Sequence, residues 1–377
     1  MRIVYITDAL AIYGGLERIL IEKVNLLTSY FGYDIHIITL NQGNHSLPYV
    51  LDSKVHFCDL GIQFHKQYRF RGLRRFWEIF RLYNLFEHRL QDKIKEIDPD
   101  IIICVRLQFL KTINKVKGSI PLLYESHTYR KAPDFEELNF ISKIKVYLYR
   151  RLEKLPQKVV TITEGDAEDW MDTNSNVVVI PNVVNLNRSG IYSDCRSKAV
   201  IFVGRFSRQK DTRSLIQIWE KIYKLHPDWS LHIYGGYGCE QERTLKQIDE
   251  MGANITVHDP TPDIHNMYMK NSILLMTSIY EPFGLVLPEA MSCGLPVVAF
   301  DCPYGPADII TDGVDGFLIK DRNIDEYVNK VCLLMDDVSL RLKMGQAGIV
   351  SSQRYTAERI MPMWKQLFEQ VVEQNKK

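Results

Sequence analysis

The chain has 377 residues, 46% of them hydrophobic and 25% charged, with a formal net charge of +1. That length suits two globular domains of roughly 150–200 residues each, and the near-neutral balance argues against a dedicated nucleic-acid binder, whose surface would be strongly basic. Seven cysteines are scattered without a C-x-x-C pair or a His/Cys cluster at zinc spacing, the pattern of reduced thiols in a cytosolic protein. No signal-peptide pattern opens the chain. No apolar run reaches the roughly 20 residues that span a bilayer, so a cytoplasmic protein with at most peripheral membrane contact is expected.

Short apolar runs alternate with helical patterns from the start. Ile3 to Thr7 reads as a strand, Gly14-Gly15 as a loop, and Leu16 to Tyr30 as a helix. Strands follow at Ile35 to Leu40 and Val55 to Leu60, and a long helix spans Leu73 to Glu96. Buried strands are expected at Ile101 to Val105, Pro121 to Glu125 and Lys158 to Thr163. The alternation predicts a parallel sheet with helices on both faces. Val177 to Ile180 ends in Pro181-Asn182, and the polar stretch to Lys198 is the best linker candidate. The alternation then restarts, with strands at Ala199 to Val203, Ser230 to Tyr234, Asn254 to Val257, Ile273 to Met276 and Val297 to Phe300. A helix is expected over Asp211 to Leu225, and a last amphipathic one over Ala357 to Glu373.

Two segments of the second half carry chemistry. Gly204-Arg205-Phe206-Ser207-Arg208-Gln209-Lys210 follows a strand and supplies cations. An arginine gives a planar fork for two phosphate oxygens and a lysine a point charge. Downstream, Glu281-Pro282-Phe283-Gly284-Leu285-Val286-Leu287-Pro288-Glu289 places one acid at each end of a glycine turn between a strand and a helix. Backbone N–H groups at such a helix start suit a phosphate. Each segment has an ordinary reading, a solvated basic loop and a pair of surface acids. The second is weakened by the apolar residues between the acids, and each segment gains weight from the other.

Together these segments resemble the donor site of retaining glycosyltransferases of the GT-B fold, family GT4, of the bacterial surface-polysaccharide type. The resemblance runs through most of the C-terminal half and, more weakly, the N-terminal half. It implies an α/β protein of two Rossmann-like parallel-sheet domains facing across a cleft. Residues 1–185 would bind acceptor, residues 186–356 would bind a nucleotide-sugar donor, and the terminal helix, residues 357–377, would pack back on the first domain. It implies that Arg205 and Lys210 hold the donor diphosphate, that Glu281 lies near the transferred sugar, and that Glu289 accepts from the ribose hydroxyls. The amides of Phe283, Gly284, Leu285 and Val286 would face phosphates or sugar, with Gly204 beside them. Gly14-Gly15 and Gly235-Gly236 would be ligand-proximal loops, where glycine lets backbone approach closely. His127 would contact the donor sugar, with Glu125, Arg106 and Glu164 as weaker candidates at strand ends. Arg208 would be a solvated neighbour.

The segment Asp301 to Pro306 resembles a variant of the family seen in bacterial surface-polysaccharide enzymes, which implies a UDP-hexose or UDP-N-acetylhexosamine donor; the acceptor is expected to be a saccharide or a polyprenyl-diphosphate-linked saccharide. Asp98-Pro99-Asp100 resembles a D-x-D metal motif but precedes a strand, at the end opposite the expected cleft, and its proline favours a turn. No cofactor and no obligatory metal are therefore expected. Lys66 to Arg75 holds five Lys/Arg and no acid, interleaved with aromatics, and Lys143 to Arg151 is a second basic-aromatic run. Such runs seat on anionic lipid, so peripheral contact with the inner face of the plasma membrane is expected, against the common alternative of a solvated helix face. A UDP-sugar 2-epimerase of the same fold and a non-catalytic sugar-nucleotide-binding subunit are the competing function classes.

Overall fold

The computed structural model describes residues 1–12, 14–130, 147 and 150–376. It divides into two compact units: Met1–Ile162 with Asp166–Val183 and Ala357–Lys377, and Thr163–Gly165 with Val184–Thr356.

The first unit is built on a seven-stranded sheet of β1 (Arg2–Ile6), β2 (Asp34–Thr39), β3 (His56–Asp59), β4 (Ile101–Cys104), β5 (Leu122–Glu125), β6 (Lys158–Thr161) and β7 (Val177–Val179). The order is β3-β2-β1-β4-β5-β6-β7, and every pairing is parallel. Alternate residues feed opposite faces, as the two-residue strand period requires. Ile3, Tyr5, Ile35, Ile37, Ile103 and Leu123 pack with α1 (Gly15–Phe31) and the terminal helix Ala357–Lys376. Val4, Ile6, Ile38, Ile102 and Cys104 pack with α2 (Gly72–Ile97) and α3 (Leu110–Val116). Asp98 and Asp100 lie at the amino edge of this sheet. Asp98 closes α2, and Asp100 Oδ2 accepts from the Arg2 amide at 2.7 Å.

The second unit repeats the plan with β8 (Ala199–Arg205), β9 (Ser230–Gly236), β10 (Ile255–His258), β11 (Ile273–Met276), β12 (Val297–Phe300) and β13 (Gly316–Ile319), in the order β10-β9-β8-β11-β12-β13. Its pairings are also all parallel. Both sheets therefore follow the doubly wound order, whose connections diverge at one switch point, between β1 and β4 in the first and between β8 and β11 in the second. β13 was absent from the sequence reading. Gly316 opens it because a Cβ there would meet the Val297 carbonyl oxygen at 2.6 Å, so the strand begins with a residue that reads as a breaker.

The stretch expected as a linker, to Lys198, spans the point where the two units part, between Val183 and Val184, and a few of its residues are anchored. Val184, Leu186 and Cys195 are buried, and Ser193 Oγ donates to the Asn271 carbonyl at 2.7 Å. Of the second basic-aromatic run, Lys143 to Val146, Leu148 and Tyr149 lie outside the described residues.

Candidate active site

In the second unit the loops after β8 and β11, on either side of the switch point, are zipped together. Thr277 Oγ1 donates to the carbonyls of Lys210 (2.9 Å) and Asp211 (3.1 Å). The Ile279 amide donates to the Gln209 carbonyl at 2.8 Å, and Gln209 Nε2 to that of Tyr280 at 3.2 Å. This brings Lys210, from the first loop, onto Glu281, from the second. Lys210 Nζ is ion-paired with Glu281 Oε1, and Ser278 Oγ donates to the same oxygen at 3.0 Å. Both side chains are largely buried, 18% and 7% exposed. The stem of Lys210 lies over Gly204, where a Cβ would sit 3.4 Å from Lys210 Cγ and Cδ.

Arg205 ends β8 and is exposed; among the described residues it has no ion-pair partner. Arg208 is exposed as well. Gly235 on β9, in register with Gly204, has φ +138°, and a Cβ there would meet the Gly204 carbonyl oxygen at 2.2 Å. Gly236 has φ +115° and open space around it. Glycine at Gly235 thus lets the two strand ends close on each other.

Glu281 is further held by its backbone. Its amide donates to the Pro303 carbonyl at 2.6 Å, and its carbonyl accepts from Tyr304 and Gly305 at 3.0 and 2.9 Å. Gly284 turns the chain with φ +93° into α8 (Val286–Ser292), where α4 to α7 are Glu164–Met171, Thr212–Leu225, Gln241–Met251 and Ile264–Met269. The amides of Phe283 to Val286 stand at the helix start, outside the internal hydrogen-bond ladder. The Phe283 ring, by contrast, is a core anchor, edge-on to Tyr355 at 5.3 Å. Glu289, in the first turn of α8, is buried, and Tyr268 Oη donates to its Oε2 at 3.4 Å. The Leu285 side chain is half-buried and that of Val286 likewise.

Sequence reasoning missed the residue that holds both loops. Arg322 pairs with Asp211 Oδ2, donates from Nη1 to the Ser278 carbonyl at 3.0 Å, and stacks over the Phe300 ring at 4.3 Å. Asp211 also caps α5, accepting from the Ser214 amide at 3.2 Å. The guanidinium therefore positions the lysine-bearing and glutamate-bearing loops at once.

The first unit gathers its own polar group at the carboxyl ends of its strands. Lys23, from α1, pairs with Glu125 Oε2 at the end of β5, and His127 Nε2 lies 3.0 Å from the same oxygen. Lys23 also faces the rings of Trp364 (4.5 Å) and Tyr5 (5.0 Å). Burial pushes the Lys23 amine and the His127 imidazole below their ordinary values, in both cases against the pull of Glu125. Burial alone would raise Glu125, but Lys23 and His127 together hold it below the ordinary carboxylate range. Glu22, Lys23, Glu125, His127, Asn182 and Trp364 line a pocket of about 10 Å³, the scale of a single water. Arg106 is near enough to oppose a charge on His127. Lys23 had one sequence signal, a charge in the apolar stripe of α1 between Leu20 and Leu27.

Asp166, in α4, is 2% exposed, and burial pushes its carboxyl up to about 7, against hydrogen bonds from Ser126 and Trp170. Glu164 is exposed, and its amide donates to Asp308 Oδ2 at 2.8 Å. Gly14 caps α1 and Gly15 opens it; a Cβ on Gly14 would meet the Glu17 carboxylate at 2.2 Å, so an acid already lies at that helix start. One further group comes together only through sheet register: Asp34, His36 and His56.

Two family models tile the chain: "Glycosyltransferase Family 4" over residues 13–188 and "Glycosyl transferases group 1" over residues 188–350. The chain is 27% identical to the amylovoran biosynthesis glycosyltransferase AmsD of Erwinia amylovora, over 97% of this chain and 99% of that one. It is 26% identical to an uncharacterized glycosyltransferase of Haemophilus influenzae, over 93% and 95%. Its fold matches that of TarM from S. aureus, in a complex with fondaparinux, α-GlcNAc-glycerol and UDP. The TM-score is 0.79 at 17% identity, covering 97% of this chain and 99% of the other. Two doubly wound parallel sheets and two family models meeting at residue 188 leave one assignment: the chain belongs to glycosyltransferase family 4 and is a transferase of the GT-B fold.

Proposed function

We propose that this enzyme moves a hexose or N-acetylhexosamine, with retention, from a UDP-sugar to a saccharide or polyprenyl-diphosphate-linked saccharide in the synthesis of a cell-surface polysaccharide. The observation that carries the donor half is the Lys210–Glu281 pair across the switch point of the second sheet, where doubly wound folds take their ligands. A departing nucleoside diphosphate gains negative charge as the glycosidic bond breaks, and fixed cations stabilise it. Arg205 is exposed for that role, and Lys210 waits on Glu281 until a phosphate competes for it. When Lys210 turns to phosphate, Ser278 keeps a hydrogen bond on Glu281, whose carboxylate then orients sugar hydroxyls. Glu289 lies one turn into α8 for the ribose. With the charge met by side chains, transfer requires no metal in this reading, and the leaving phosphate takes the acceptor proton on the same face of the sugar. AmsD, by its name, acts in amylovoran biosynthesis, and TarM was captured with UDP; the first supports a polysaccharide product and the second a UDP-sugar donor.

No helix among the described residues is long and apolar enough to cross a membrane. The lipid-facing part of the proposal rests on α2. Its amino-terminal half carries Leu73, Phe76, Trp77 and Phe80, 81%, 64%, 65% and 55% exposed, beside Arg71, Arg74 and Arg75. A seat on the anionic inner face of the plasma membrane brings the enzyme to a lipid-linked acceptor.

The test is thermal stabilisation by UDP, GDP, ADP and CMP, each with EDTA and with Mg²⁺. A ligand confined to the native state adds about 2.7 kcal/mol at a hundredfold excess over its dissociation constant. UDP is expected to raise the melting temperature in EDTA, and Lys210→Ala is expected to lose both the shift and transfer. A shift with another nucleotide would change the donor, and no shift with any would remove the donor site. Full transfer by Lys210→Ala or Glu281→Gln would sink the residue assignment.

A further inference from the structure

The amino edge of the first sheet, at the opposite end of its strands from Glu125, carries a group of a different kind. Asp34 and His36 lie two positions apart on β2, so their side chains leave the same face. His56 on β3 is in register with His36, which brings a second imidazole alongside, the two rings stacked at 4.5 Å and 20°. One oxygen serves both: Asp34 Oδ1 lies 3.1 Å from His36 Nε2 and 3.5 Å from His56 Nε2. The three ligand atoms all fall within 4.8 Å of one another.

We propose that Asp34, His36 and His56 form a binding site for one divalent transition-metal ion of the zinc type. Around a tetrahedral ion with bonds of about 2.0–2.1 Å, ligand atoms are roughly 3.3 Å apart; the two carboxylate–imidazole separations bracket that spacing, and the exposed His56 ring turns out of the stack on binding so that both in-plane lone pairs meet the ion. Two imidazoles and one carboxylate oxygen select zinc, nickel or copper over magnesium and calcium, which take oxygen. The other carboxylate oxygen is already oriented, because Arg2 Nε donates to Asp34 Oδ2 at 2.9 Å. That is the arrangement by which outer groups aim a metal-binding carboxylate. His56 is 64% exposed, leaving the fourth position open to water. The ion would tie β3, a four-residue strand at the sheet's edge, to β2 by a bond that the backbone ladder does not supply. The group escaped the sequence reading because its histidines are neighbours through register, at no recognisable spacing.

Titration of the chelator-stripped full chain with ZnCl₂ and MgCl₂, followed by calorimetry and melting temperature, tests this. One equivalent of Zn²⁺ is expected, with a raised melting temperature, no response to Mg²⁺, and at least tenfold weaker binding in both His56→Ala and Asp34→Asn. His56 is exposed enough for His56→Ala to fold, and an unchanged melting temperature in EDTA checks that it does. Superimposable Zn²⁺ isotherms for the wild type and His56→Ala would put any zinc on other thiols or imidazoles and overturn the site. So would the absence of any binding, or equal binding of Mg²⁺.

Discussion

Lys210 and Glu281 neutralise each other in the ligand-free protein, so the donor must break an ion pair before the lysine can meet phosphate. The loops that carry the pair are held together by Arg322, which touches both through Asp211 and the Ser278 carbonyl. Arg322→Lys keeps the charge but loses the planar fork. It is expected to lower kcat/KM for donor about tenfold or more while Arg322→Ala costs further, with folding followed by circular dichroism; equal rates for Arg322→Ala and wild type would remove its positioning role. Asp166 gives a pH-dependent prediction. Burial raises its carboxyl to about 7, so the folded state binds the proton more tightly than the unfolded chain. That contribution is fully present below about pH 4 and is lost as pH rises through 7. Asp166→Asn removes the charge and keeps the shape, so its melting temperature relative to wild type should rise from pH 5 to pH 8. A difference independent of pH would mean that Asp166 titrates normally.

At the scale of elements, α2 is longer than its sheet needs. Its 26 residues extend about 39 Å, whereas the four residues of β4 extend about 13 Å. Core contacts begin only at Leu82 and continue through Phe86, Leu90, Ile94 and Ile97. The helix runs antiparallel to the strands, so its first turns overhang their carboxyl ends with an exposed apolar stripe. Each basic residue near an anionic surface adds about 1 kcal/mol. Arg71→Glu, Arg74→Glu and Arg75→Glu together should therefore weaken co-sedimentation with anionic vesicles by about 100-fold or more, and salt should weaken the wild type likewise. Unchanged co-sedimentation would reject this surface. The overhang was legible in sequence as aromatic and basic residues around a helix start, and the strands Ile273–Met276 and Val297–Phe300 were legible as continuous apolar runs between breakers. What could not be read is whatever depends on register or topology. β13 hides behind a glycine needed for close approach to β12. Lys23 meets Glu125 across the sheet face, and Arg322 reaches one loop 111 positions upstream and another 44 positions upstream. Linear motifs such as Gly204 to Lys210 and Glu281 to Glu289 announce a site, but the side chains that hold it in place carry no local signature.

At the scale of the whole molecule, the two units differ in how the chain completes them. The core of the second unit runs from Val200 to Met344 and draws on no residue from the terminal helix. The first unit is closed by that helix: Ile360, Met361, Trp364, Leu367, Phe368 and Val371 are buried against α1 and the sheet. At about 1.5–3 kcal/mol for each large side chain, these six are worth about 9–18 kcal/mol, as much as the ~5–15 kcal/mol by which a domain is stable at all. The first unit is thus complete only once the helix Ala357–Lys376 has been made, whereas the core of the second is complete before it. Residues 184–356 produced alone are expected to melt cooperatively and to keep the stabilisation by UDP. Residues 1–183 alone are expected to bind hydrophobic dyes and to lack a cooperative melt, and joining residue 183 to residue 357 through a flexible linker should restore it. Trp364→Ala in the full chain should cost the first unit about 3–5 kcal/mol, because it also removes the ring that Lys23 faces. A cooperative melt from residues 1–183 matching that of the linked form would show that the terminal helix only decorates a core already sufficient without it.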